Sequence, residues 1–148
     1  LLRHPDQLQA LRDDPTLSAN AAEEMIRWTS PVRSFFRWTQ EDTQIGGVTI
    51  PEGYVVLTSY PSANRDEEVF DDPFRFDITR DPNPHVAFGG GGPHFCLGAQ
   101  LAKMEIRVLF EELVRRAPRI EALGPPDPLR SNWIGGIKHL PVHFVDPT

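Results

Sequence analysis

The stretch that decides the reading is Phe88-Gly89-Gly90-Gly91-Gly92-Pro93-His94-Phe95-Cys96-Leu97-Gly98. It holds the single cysteine of the chain, with a run of glycines just before it. Glycine lets a backbone adopt turns closed to other residues and pass close beneath a large, flat partner. A helical pattern starts at the same place. Leu97, Leu101, Met104 and Val108 recur at i, i+4, i+7 and i+11, one face of a 3.6-residue period. Ile106, Leu109, Phe110 and Leu113 widen the apolar surface and predict a mostly buried helix from about Leu97 to Arg116. Cys96 then stands at a helix N-terminus, where free N–H groups and the positive end of the helix dipole favour a thiolate. Gly98 costs helix propensity, and close approach at that face is a reason for it.

A lone cysteine excludes an intrachain disulfide, a four-cysteine zinc site and an iron–sulfur cluster. On the residues alone three readings stay open: an inert packing residue, a catalytic nucleophile, and a single metal thiolate. A thiol hydrolase would take His94 or His85 as its base. Yet proline and glycines replace the strand of a nucleophile elbow, and no Asp or Asn stands out as the orienting partner.

Upstream, residues 61–95 lack any sustained period and are broken by Pro61, Pro73, Pro82, Pro84 and Pro93. Phe70, Phe74, Phe76 and Phe88 argue for an ordered, functional loop, with a short helix near Asp66–Val69. Further back, Tyr54–Tyr60 reads as a strand, and Thr43–Ile45 and Val48–Ile50 flank a Gly46-Gly47 hairpin turn. The aromatic run Phe35–Thr39 is a further strand. A helix is expected from Asn20 through Trp28, opened by an Asn20/Glu23 capping box and stopped before Pro31. A helical pattern in residues 1–13 precedes it, broken by Pro5. Downstream, Arg130–Ile134 and Leu140–Val145 flank Gly135-Gly136 and predict a second hairpin. Fifteen prolines punctuate the chain too heavily for a helical bundle. The class is α+β, mainly α with small antiparallel sheets.

The 148 residues suit one domain or a piece of one. A formal charge of −6 argues against a general affinity for nucleic acid. No apolar run nears the roughly 20 residues of a membrane span, so no anchor is expected. The start lacks an initiator Met and a signal-peptide pattern, and it reads as the interior of a longer frame. A reduced, cytoplasmic setting fits the single cysteine.

Phe88 through Gly98 resembles the haem-binding loop of the cytochrome P450 superfamily. Gly92, His94 and Gly98 match the family's Gly four before, basic residue two before and Gly two after the cysteine. The family's usual Phe seven before is Gly89 here, with Phe88 one place earlier, as if the loop carried one extra residue. Glu24-Met25-Ile26-Arg27 resembles the family's Glu-x-x-Arg, and Pro73-Phe74-Arg75-Phe76 its Pro-x-Arg-Phe. The resemblance implies that Cys96 is the axial thiolate of haem b (iron protoporphyrin IX), and that Glu24, Arg27 and Arg75 form a structural Glu–Arg–Arg cluster. It implies that Arg37, His85 and His94 serve the haem propionates, and that Phe88, Gly92 and Gly98 line the haem.

The resemblance covers about Leu1 to Phe144 and only the C-terminal part of the family fold. That part runs from the J and K helices through the haem loop and L helix to the terminal hairpin. Residues 1–148 are then a fragment of one domain, inactive alone, from a monooxygenase of a hydrophobic, sterol or lipid substrate. Val32 and Phe35, with Trp133, Ile134 and Ile137, fall in segments resembling the family's substrate contacts. A haem-binding fragment without turnover is the alternative. Electrons are expected from a ferredoxin and its reductase, steered by Lys103, Arg107, Arg115 and Arg116 on the polar face of the cysteine helix.

Overall fold

The computed structural model describes residues 1–117 and 119–145. Pro5 opens helix α1 (Pro5–Asp13) rather than breaking it. At the first helical position its missing N–H is no loss and its fixed φ is already helical. A short 3₁₀ turn at Pro15–Leu17 then leads into α2 (Ser18–Thr29), and the Asp14 side chain accepts from the Thr16 N–H. The expected Asn20/Glu23 capping box does not form. The helix begins two residues earlier, with Ser18 Oγ donating to Glu111 (2.6 Å), while Glu23 is engaged elsewhere. Ser30 ends α2 in the left-handed region, φ 40°.

Strand β1 (Ser34–Trp38) pairs antiparallel with β4 (Val55–Ser59), setting Arg37 opposite Val56. Between them, β2 (Thr43–Ile45) and β3 (Val48–Ile50) make the expected hairpin. Gly46 and Gly47 both take positive φ there, as a two-residue hairpin turn requires. The short helix of the following segment is α3 (Tyr60–Ala63), not Asp66–Val69. Pro61 starts a helical turn at once, whereas the Asp66 carboxylate accepts from the Glu68 N–H and holds a turn. The rest of residues 64–98 forms turns and bends, as their punctuation predicts.

The cysteine helix α4 spans Ala99–Arg116. It buries less than its sequence predicts. Ile106, Phe110 and Val114 pack on a core of Leu11, Ala21, Met25, Phe76 and Ile78. Leu101, Met104 and Val108 face outward, each about half exposed. The small core supplies one surface for α4, and the apolar stripe on its other side has no cover among the described residues.

The tail also departs from expectation. Strand β5 (Arg119–Ala122) pairs with β8 (Val142–Val145), and β6 (Asp127–Pro128) with β7 (Ile137–His139). No hairpin joins Arg130–Ile134 to Leu140–Val145. Neither Gly135 nor Gly136 takes the positive φ of a tight turn. Gly135 instead lets the tail cross residues 31–33, its N–H donating to Pro31 O (2.7 Å) where a Cβ would meet Arg33 Nε at 3.2 Å. Among the described residues, no helix is long and apolar enough to cross a membrane.

Candidate functional site

Cys96 sits three residues before α4 and is exposed. The loop ahead of it closes on its own backbone. The Cys96 N–H donates to Phe88 O (3.0 Å), Gly89 N–H to Val86 O (2.8 Å) and Phe95 N–H to Gly92 O (3.1 Å). Gly89, Gly91 and Gly92 adopt φ of 99°, 98° and 76°, which only glycine takes without strain. Nothing lies within 4 Å of a Cβ built at Gly90, Gly91 or Gly92. At Gly98 such a Cβ would sit 4.0 Å from the Cys96 sulfur. The exposed sulfur thus follows directly on this closed glycine turn, the platform of the loop, and has Gly98 beside it at the start of α4. Phe95, Leu97 and Leu101 are exposed around it, as is His94.

A buried ion cluster centres on α2. Glu24 and Arg27 are fully buried and joined by two hydrogen bonds, Nε to Oε2 (2.7 Å) and Nη2 to Oε1 (2.8 Å). The other Arg27 N–H groups donate to the carbonyls of Asn64 (2.7 Å), Pro73 (3.0 Å) and Arg75 (3.1 Å). Glu24 also accepts from the Asp77 N–H (2.9 Å) and from Asn83 Nδ2 (3.0 Å). The second arginine is not the expected one. The Arg75 side chain is 63% exposed and reaches only Asp77 (3.7 Å). Arg80 turns inward instead, its Nε 3.4 Å from Glu24 Oε2 and its Nη1 donating to Asp71 O (2.7 Å). Arg75 contributes its carbonyl, so its side chain points away from the cluster.

His85 also has a role beyond the one expected. Its side chain is 3% exposed, with Nε2 bonded to Glu23 (2.8 Å) and Nδ1 3.3 Å from the Ala87 N–H. Burial lowers its pKa below the ordinary value, opposed by the Glu23 carboxylate. These bonds tether the loop to α2 and leave His85 poorly placed as the base of a hydrolase. Among the described residues no hydrogen bond reaches the Cys96 sulfur. Arg37 is exposed on β1, donating to Phe36 O (2.9 Å) and lying over Phe35.

The residues expected to line a substrate pocket do come together. Val32 bridges Ile134, Arg33 N–H donates to Trp133 O (2.8 Å), and the Phe35 and Trp133 rings meet edge-on at 6.3 Å. Phe35, Trp133 and Ile134 remain exposed, as does Ile137 on β7. The basic patch on α4 does not survive as free charge. Lys103 pairs with Glu23, Arg107 with Glu111, and Arg115 and Arg116 with Glu112.

Sequence reasoning missed Arg80, Asn83, Asn64 and Glu23. Glu23 and Arg80 are charged neighbours of recognised motifs, which is a faint signal at best. Asn64 and Asn83 give none, because their partners come from distant segments.

The family model described as Cytochrome P450 matches residues 6–118. The chain belongs to the cytochrome P450 family. Among curated relatives, Cytochrome P450-terp of Pseudomonas sp is 47% identical over 98% of this chain and 34% of its own length. A steroid C26-monooxygenase of Mycolicibacterium smegmatis is 45% identical over 97% of this chain and 33% of its own. Among solved structures, P450BioI in complex with an acyl carrier protein bearing hexadec-9Z-enoic acid superposes with a TM-score of 0.94 at 40% identity. That match covers 98% of this chain and 38% of the other. This cytochrome P450 chain thus spans about a third of the length of the curated relatives it matches. The fold class agrees with the mixed helix and small antiparallel sheets expected.

Proposed function

We propose that residues 1–148 are the C-terminal haem-binding portion of a haem-thiolate monooxygenase, with the Cys96 thiolate as axial ligand to the iron of haem b. The observation that carries this is the exposed sulfur on its glycine platform, backed by the buried Glu24–Arg27 cluster. The platform fits a flat macrocycle. It offers one exposed sulfur, no side chains at Gly90 to Gly92, and exposed apolar neighbours in Phe95 and Leu97. Thiolate ligation of haem supplies oxygen activation, because sulfur pushes electron density onto iron to favour O–O cleavage.

The chain's own residues hold and orient. Cys96 binds, Phe88 O fixes the Cys96 amide, and Gly98 keeps the space beside the sulfur open. His94 and Arg37 are exposed cations or donors suited to propionates. His85, held through Nε2 by Glu23, positions the loop more than it reaches outward. Val32, Phe35, Trp133 and Ile134 give an apolar wall that suits a hydrophobic substrate, of the sterol or lipid class suggested by the named relatives. The electron donor is a ferredoxin with its reductase. The setting is cytoplasmic, where a free thiol stays reduced.

The test is Cys96→Ala in the full-length protein. The variant is expected to lose the strongly red-shifted main absorption band of the reduced, carbon monoxide-bound form, together with substrate hydroxylation. Normal hydroxylation by Cys96→Ala would overturn the assignment.

A further inference from the structure

We propose that Glu23 is a positioning residue of the cysteine loop, a single carboxylate that holds Phe88 through two partners, His85 and Lys103. The proposal rests on the haem reading only for what the Cys96 position is used for. Glu23 projects from α2 and is itself partly exposed. Its Oε2 meets His85 Nε2 at 2.8 Å and its Oε1 meets Lys103 Nζ at 2.8 Å. Both partners then converge on one ring. The Lys103 ammonium lies 5.6 Å from the Phe88 centroid, within cation–π range, and the His85 ring lies 6.0 Å from it. Phe88 O in turn receives the Cys96 N–H (3.0 Å). One carboxylate thus connects α2, the loop before the glycines, and α4 seven residues beyond the cysteine.

The partners assign the proton. Nδ1 of His85 faces the Ala87 N–H and can only accept from it, so Nε2 carries the hydrogen and donates to Glu23. Arg27 also faces His85 across the cluster, but its five N–H groups are all taken by Glu24 and three carbonyls. The Lys103 ammonium is therefore the cation left to balance the second oxygen of Glu23. Packing of α2 on α4 does not need this link, because Ser18 bonds Glu111 and the apolar core joins the two helices independently. Loss of Glu23 should accordingly loosen the loop and leave the helices in place.

The experiment is amide hydrogen exchange on the full-length protein, comparing Glu23→Gln, Lys103→Met, the double variant and Lys103→Arg. Exchange in residues 88–96 is expected to rise about tenfold in each of the first two, with α2 amides within about twofold of wild type. The double variant should fall short of the product of the two single effects, because both cut the Glu23–Lys103 arm. Lys103→Arg should keep most of the protection. Unchanged exchange at 88–96, an equal rise across α2, or multiplying effects in the double variant would each overturn the bracing. Should Glu23→Gln not fold, the Lys103→Met and Lys103→Arg pair decides alone: Met loosening the loop and Arg not doing so supports the grip, and equal exchange in both overturns it. A carbon monoxide spectrum of the same samples keeps the two readings apart. Loss of the thiolate band in the wild type sinks the haem assignment, and altered exchange still stands for the brace.

Discussion

Arg27 carries five N–H donors in a planar fork, and each has an acceptor inside the protein. Such a group is costly to remove, because its partner Glu24 would stay behind as an unpaired buried charge. Arg27→Ala is expected to cost about 3–5 kcal/mol and to lower folded, haem-loaded yield far more than activity per haem. Arg75→Ala should cost within about 1 kcal/mol, since an exposed ion pair contributes little and the Arg75 carbonyl is kept. Denaturant midpoints and haem content of the two variants check both values; equal losses would contradict the geometry. Glu24 with Arg27 was legible only through the resemblance of Glu24-Met25-Ile26-Arg27 to the family's Glu-x-x-Arg, because an i, i+3 pair by itself reads as an exposed surface pair. Arg80 was not. Which of two loop arginines turns inward depends on how residues 64–80 fold back over α2, and no periodicity records that.

Secondary elements divide along the same line. The β2–β3 hairpin and the start of the cysteine helix were readable, because two glycines at positive φ and a 3.6-residue period are local signatures. The tail was misread because a Gly-Gly pair signals either a turn or a close crossing, and Pro31 to Arg33 decide which. On α4 the period was right, and its apolar circumference exceeds what the small core of this chain covers. Its uncovered stripe leads to a prediction at this scale. In the full-length protein Val108→Asp should cost about 2–4 kcal/mol, well beyond the roughly 0.5 kcal/mol typical of a surface change. A melting temperature within a degree of wild type would mean that this face stays in water.

The molecule as a whole has a small core and much apolar surface, including Leu97, Leu101, Trp38 and Trp133. Large exposed apolar patches mark surfaces that other structure covers. With about a third of its relatives' length, the chain made alone should be poorly soluble, take up haem weakly and hydroxylate nothing. Residues 1–148 titrated with haem and supplied with a ferredoxin system provide the check, and stoichiometric thiolate-type spectra with steady product would refute it. The Arg27 fork has one more consequence, for folding kinetics. Its carbonyl partners at Asn64, Pro73 and Arg75 lie 37, 46 and 48 residues along the chain. Forming any of these bonds closes a long loop, and that entropy is lost before the neighbouring bonds can compensate for it. Until all three carbonyls arrive, the guanidinium keeps its water, and partial docking strips solvent from it without replacing the lost bonds. Segment 64–75 should therefore join α2 late and as one cooperative unit.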